Sequence, residues 1–173
     1  MRNFVLGVVS TLVLAAGAGA GYLVATGLST KDEPGGIETR DARAARDLAI
    51  PRSMRGRVNA ITPGPEAVAA GLKIFAGFCA PCHANDGSGR IGLGRTMFPR
   101  APDMRLPATQ EMTDGELFYI IENGVRFTGM PGWSNGTPEG EAMAWNLVHF
   151  IRHLPRLTPN ELADMEALNP QRP

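Results

Sequence analysis

The chain has 173 residues, 43% hydrophobic and 20% charged, with 17 basic and 17 acidic side chains and a formal net charge of zero. That length holds one modest domain plus extra segments, and the balanced charge gives no pointer to nucleic acid or an anionic membrane surface. The charge is unevenly spread: basic residues prevail from Lys31 to Thr62, with Arg52, Arg55 and Arg57 clustered, and acidic ones from Pro63 onward.

Residues 1–30 come first. Nothing between Asn3 and Lys31 is charged, and Phe4 to Leu28 is almost entirely apolar or small, enough for the ~20 residues that span a bilayer core. Arg2 in front, with no basic cluster immediately behind, orients the N-terminus inside and the remainder outside. A cleaved signal peptide is the rival, since Ala18-Gly19-Ala20 has the form of a cleavage site. Apolar character continues past it through Tyr22, Leu23 and Val24, so a retained single-helix signal anchor is preferred. Either way, the rest of the chain is expected on the outer, periplasmic side of the cytoplasmic membrane.

Residues 31–62 follow as a charged linker or stalk. Lys31 to Gly36 has linker composition; Ile37 to Ile50 predicts a short charged helix with Ile37, Ala44, Ala45 and Leu48 on one side. Arg52 to Pro65, with its Pro63-Gly64-Pro65 turn, reads as an extended connection. A helix is then expected from Glu66 to Phe78, Pro65 suiting its first turn and Val68, Leu72, Phe75 and Ala76 sharing a face.

That helix leads into Cys79-Ala80-Pro81-Cys82-His83. Cys-x-x-Cys-His is the attachment pattern of c-type haem: one turn presents two thiols to the vinyl groups of a porphyrin and an imidazole to its iron. A thioredoxin-like site expects a βαβ pattern that is not evident here. A closed zinc site needs another Cys or His pair, and these are the only cysteines. A disulfide between them is then a transient form before haem ligation. One motif implies one haem c.

Gly71-Leu-Lys-Ile-Phe75 followed by Cys79 resembles the N-terminal helix of the class I c-type cytochromes. The resemblance implies an all-α, cytochrome c-like domain around one covalently bound haem. Gly71 and Phe75 would serve a close helix crossing. The glycine-rich Asn85–Arg95 would wrap the haem edge and offer a backbone carbonyl to the second imidazole nitrogen. Met97 to Pro107, with three prolines, reads as an irregular loop; Arg90, Arg95, Arg100 and Arg105 lie along this stretch as surface charges, haem-propionate partners or docking groups.

Thr113-Asp-Gly-Glu116 has the form of a capping box and opens a helix ending at Asn123-Gly124. Thr137-Pro138 opens another, running to about His153 with Trp145 and Phe150 on it, and Thr158-Pro-Asn-Glu161 starts a last short helix. The expected organisation is 1–30 anchor, 31–62 stalk, 63–157 cytochrome c domain, and 158–173 short helix and tail.

An iron held by His83 needs a ligand opposite. Met97, Met104, Met112, Met130, Met143, His149 and His153 are candidates, and methionine is by default a core filler. Met130 is preferred, because Gly129-Met-Pro-Gly-Trp133 falls in a loop between two helices, where the resembled family carries its distal methionine. His149 and His153 have zinc-like spacing but lack the Glu and third ligand of the helical zinc motif.

The resemblance implies an electron carrier rather than an enzyme, passing single electrons between membrane or periplasmic redox proteins, with Cys79 and Cys82 as thioether sites and His83 and Met130 as axial ligands. A haem-containing subunit of a membrane redox complex is the main alternative; a peroxidase or gas sensor is the more distant one.

Overall fold

The computed structural model describes residues 1–27, 29–133 and 135–169. Leu28 of the expected anchor and the tail after Asn169 lie outside those residues. Every regular element among them is helical, and the chain divides into two units, Met1–Asp32 and Glu33–Pro173.

The first unit is one helix, α1 (Arg2–Thr26), with no buried residue. At 1.5 Å per residue it is about 37 Å long, more than the ~30 Å of a bilayer core. It is long and apolar enough to cross a membrane, and signal sequences pass the same test.

The second unit begins with α2 (Gly36–Ala49) and α3 (Arg52–Arg55). Helix α2 is the charged helix expected from the sequence, and Ile37 and Leu48 stay exposed on it. The expectation of a merely extended connection after Pro51 is corrected, because this stretch contains α3 and is docked on the core. Ile50 is buried, the Arg57 guanidinium lies 4.4 Å from the Phe118 ring centroid, and Asn59 Nδ2 donates to the Trp145 carbonyl at 3.1 Å. The basic cluster thus meets acidic groups and aromatic faces: Arg55 pairs with Glu116 at 3.2 Å and Arg57 with Glu141.

Helix α4 (Pro65–Ile74) continues through a π-turn, Phe75–Cys79, into α5 (Ala80–His83). Then come α6 (Gly92–Thr96), α7 (Pro107–Gln110), α8 (Asp114–Asn123), α9 (Pro138–His153), a 3-10 turn at Leu154–Arg156, and α10 (Pro159–Leu168). The boxes at Thr113 and Thr158 both form, and the Thr137 hydroxyl accepts from the Gly140 amide, so the caps anticipated from sequence set these starts.

The α4–α9 crossing is the main helix contact of the domain. A Cβ on Gly71 would fall 2.7 Å from Phe150 Cβ and overlap the Asn146 carbonyl, so only glycine admits this approach. Around it Leu72, Phe75, Phe118, Trp145, Val148 and Phe150 form the core. Phe118 and Trp145 stack at 4.0 Å and Phe75 meets Phe150 at 5.1 Å. Helix α10 joins the same core through Met165, which is fully buried, so the last helix is packed against the domain it follows.

Candidate haem site

The site is built on the end of α4. There the π-turn shifts the helix register, the Ala80 amide bonding back to the Phe75 carbonyl, and it delivers Cys79, Cys82 and His83 from one short segment. Single-turn π distortions of this kind are common at functional sites. Both cysteines are free thiols. Burial, with the neighbouring Cys82 adding to it, pushes the Cys79 thiol up to about 12, and burial also raises Cys82. Both are therefore protonated at neutral pH.

His83 is 7% exposed, its ring 6.5 Å from that of Phe75. Burial lowers its pKa to about 4, with the Pro102 backbone carbonyl opposing the shift, so the imidazole is neutral with a lone pair to give. Nδ1 is buried and makes no hydrogen bond of full geometry; the Pro102 carbonyl is the acceptor beside the ring. The expectation that this acceptor would come from Asn85–Arg95 is corrected. The loop doubles back, Ala101 N bonding to the Gly94 carbonyl at 3.1 Å and Met104 N to the Gly87 carbonyl at 2.8 Å, which sets Pro102 against the ring. Nothing in the sequence pattern marks it, because a backbone acceptor is chosen by the path of the chain.

The residue after the histidine is strained. Ala84 has φ 61° and ψ 161°, a region kept essentially for glycine and costing about 1–3 kcal/mol. The Ala84 amide bonds to the Ala80 carbonyl, and Gly89 N donates to the His83 carbonyl at 2.8 Å.

The Met130 loop comes to the same place. Phe78, next to Cys79, meets Trp133 edge-on at 5.4 Å, and Trp133 N bonds to the Ile121 carbonyl at the end of α8. Met130 is half-buried; its amide donates to Thr128 Oγ1 and its carbonyl accepts from Val125 N, both at 3.1 Å. Met97 lies alongside, its sulfur 3.0 Å from where a Cβ on Gly129 would stand. Met104 and Met112 instead pack on the core. His149 is bonded to the Ile61 carbonyl at 2.9 Å and His153 to Glu161 at 2.8 Å, so the two are engaged separately.

Of the four loop arginines, Arg105 joins Asp86 at 3.0 Å and Asp103 at 2.7 Å. Its hydrogen bond holds the Asp103 carboxyl below the usual range. Arg100 pairs with Glu33 at 2.5 Å, while Arg90 and Arg95 are exposed.

Two thiols, a buried neutral imidazole with an orphaned nitrogen, and a methionine loop beside them are the donor set a covalently bound haem needs. Phe78, Leu93, Phe98 and Phe127 are large apolar side chains left exposed on the segments around these donors, where a porphyrin face would cover apolar surface. Residues 66–151 match the protein-family model described as cytochrome c oxidase, cbb3-type, subunit III. The domain belongs to the c-type cytochromes. The matched stretch runs from the first turn of α4 to near the end of α9, so α1, α2, α3 and α10 lie outside it. As a cytochrome domain it carries haem c and serves haem-based electron transfer.

Proposed function

We propose that the chain carries one haem c, which Cys79 and Cys82 would hold covalently and whose iron His83 and Met130 would ligate, and that α1 anchors it in the cytoplasmic membrane with the cytochrome domain on the outer side. The haem iron, when bound, cycles between ferrous and ferric and so accepts and releases one electron.

The rest falls to the protein. His83, kept neutral by burial and with the Pro102 carbonyl beside its ring, would offer Nε2 to iron while Nδ1 turns to that acceptor, which strengthens the donor. Met130 would supply a soft thioether, which raises the potential relative to a second histidine. With His83 and Met130 both given to the iron, no protein-free position would remain for peroxide or a gas, which disfavours the peroxidase and gas-sensor readings. Phe78 and Trp133, in edge-on contact beside the attachment turn, would pack on a bound porphyrin and so limit rearrangement when the charge changes. The observation that carries this reading is the edge-on contact of Phe78 with Trp133, which joins the cysteine–histidine turn to the methionine loop.

The test is the purified protein's mass and ferric spectrum. The expected result is one haem mass retained under denaturing conditions and a weak near-infrared band of methionine–iron ligation. A colourless polypeptide refutes the haem assignment, and a low-spin spectrum without that band moves the second ligand elsewhere.

Its partners would be membrane or periplasmic redox proteins. The matched model's description as an oxidase subunit favours a second reading, a fixed subunit of a membrane redox complex. Extraction in mild detergent separates the two: a complex subunit co-purifies in fixed stoichiometry, and a tethered carrier emerges alone.

A further inference from the structure

The strained exit of the attachment turn is held from outside the turn. Asn85, 6% exposed, directly follows Ala84, and its Nδ2 donates to the Asn169 backbone carbonyl at 3.1 Å. In return, Asn169 Nδ2 donates to Asn85 Oδ1 at 3.3 Å. Two turns of chain away, Leu154 closes over Gly87, its Cδ1 2.7 Å from where a Cβ on that glycine would stand. Asn169 caps α10, whose Met165 is fully buried and whose Glu161 bonds to His153. The reciprocal amide pair therefore links a firmly seated helix to the residue two positions after His83.

A backbone conformation reserved for glycine persists in an alanine only where its surroundings over-determine it. The amides within the turn hold Ala84 directly; Leu154 against Gly87 and Asn169 on Asn85, both outside the stretch matched by the cytochrome family, hold the residues that follow it. We propose that residues 154–169 form a clasp that locks Ala84 in its strained conformation, with Asn169 as the positioning residue that thereby fixes the orientation of His83. This rests on the reading of His83 as an iron ligand.

The experiment uses the full-length holoprotein with Asn169→Ala, Asn85→Ala, Ala84→Gly and the double variant Asn85→Ala/Ala84→Gly. Two readouts are taken: hydrogen exchange of the Gly87 and Gly89 amides, and the haem-methyl proton shifts of the ferric protein, which report imidazole orientation. Asn85→Ala removes both side-chain hydrogen bonds to Asn169, so exchange should quicken by about tenfold and the methyl shifts should redistribute. Asn169→Ala removes only the 3.3 Å bond, since the Asn169 carbonyl that accepts from Asn85 is backbone, and should do the same to a smaller degree. In the Ala84→Gly background, where no strain needs holding, the effect of Asn85→Ala should largely vanish. Unchanged exchange and shifts in Asn85→Ala, or equal effects of Asn85→Ala in both backgrounds, overturn the clasp. A parent protein lacking low-spin ferric iron refutes the ligand reading instead, while the exchange data still decide whether residues 154–169 restrain the turn.

Discussion

Met130 has a neighbour that no spacing rule brings to it. Met97, on the loop after α6, rests against Gly129 with its sulfur 3.0 Å from the place a Cβ would occupy. Glycine there lets the thioether of one loop lie against the backbone of the other. Met130→Ala should lower the reduction potential, abolish the near-infrared band and open the iron to added imidazole, as titration of the ferric protein would report. Gly129→Ala should weaken the same band partially, by forcing Met97 and the ligand loop apart, with the haem still covalently attached. Cys79, Cys82 and His83 could be proposed from the sequence because the haem-attachment pattern occupies five consecutive residues. The Pro102 carbonyl and the strained Ala84 were not, since each depends on where a distant segment comes to rest.

Among the helices, the α4–α9 crossing bears the domain. Gly71 and Phe75 were readable as its contact from the resemblance to the class I c-type cytochromes, and Phe150 opposite them completes it. Gly71→Ala should destabilise the holoprotein by about 1–3 kcal/mol, measured by denaturant unfolding, without changing the iron ligands. The Thr158 box carries a second prediction. Burial alone would raise Glu161, but hydrogen bonds from the Thr158 amide, His153 and the Thr158 hydroxyl outweigh it and hold the carboxyl below its ordinary value of 4.5. A depressed carboxyl stabilises the fold above that ordinary value, and the contribution is lost as pH falls through the folded pKa. The advantage of the parent over Glu161→Gln, roughly 1 kcal/mol, should therefore hold at neutral pH and disappear below pH 4.5. The box itself was plain in Thr158-Pro-Asn-Glu161; its tie to His153 was not, because that bond joins two helices across a turn.

For the whole molecule, the cytochrome domain does not stand free of its flanks. Arg57, from the segment read as a connection, lies over Phe118 and pairs with Glu141, and Met165, from the last helix, fills the core. Apolar periodicity predicted both flanks as helices or linkers but could not show which apolar or cationic side chains they would bury. At this scale the prediction concerns α1: protein extracted from membranes should have an intact mass that includes Met1 to Gly27, and a mass beginning after Ala20 would replace the anchor with a cleaved signal.

The amino-acid order alone carried the haem-attachment pattern and determined the helix starts at Thr113, Thr137 and Thr158 and the apolar N-terminal helix, because each follows from residues within a few positions of one another. Folding alone decided that Pro102 faces the imidazole, that Phe78 meets Trp133, that Met97 lies on Gly129, and that Asn169 clasps Asn85. Those pairings join segments from 19 to 84 residues apart, measured as 102 − 83 and 169 − 85, and only packing around a shared core selects them from the many that local propensity allows.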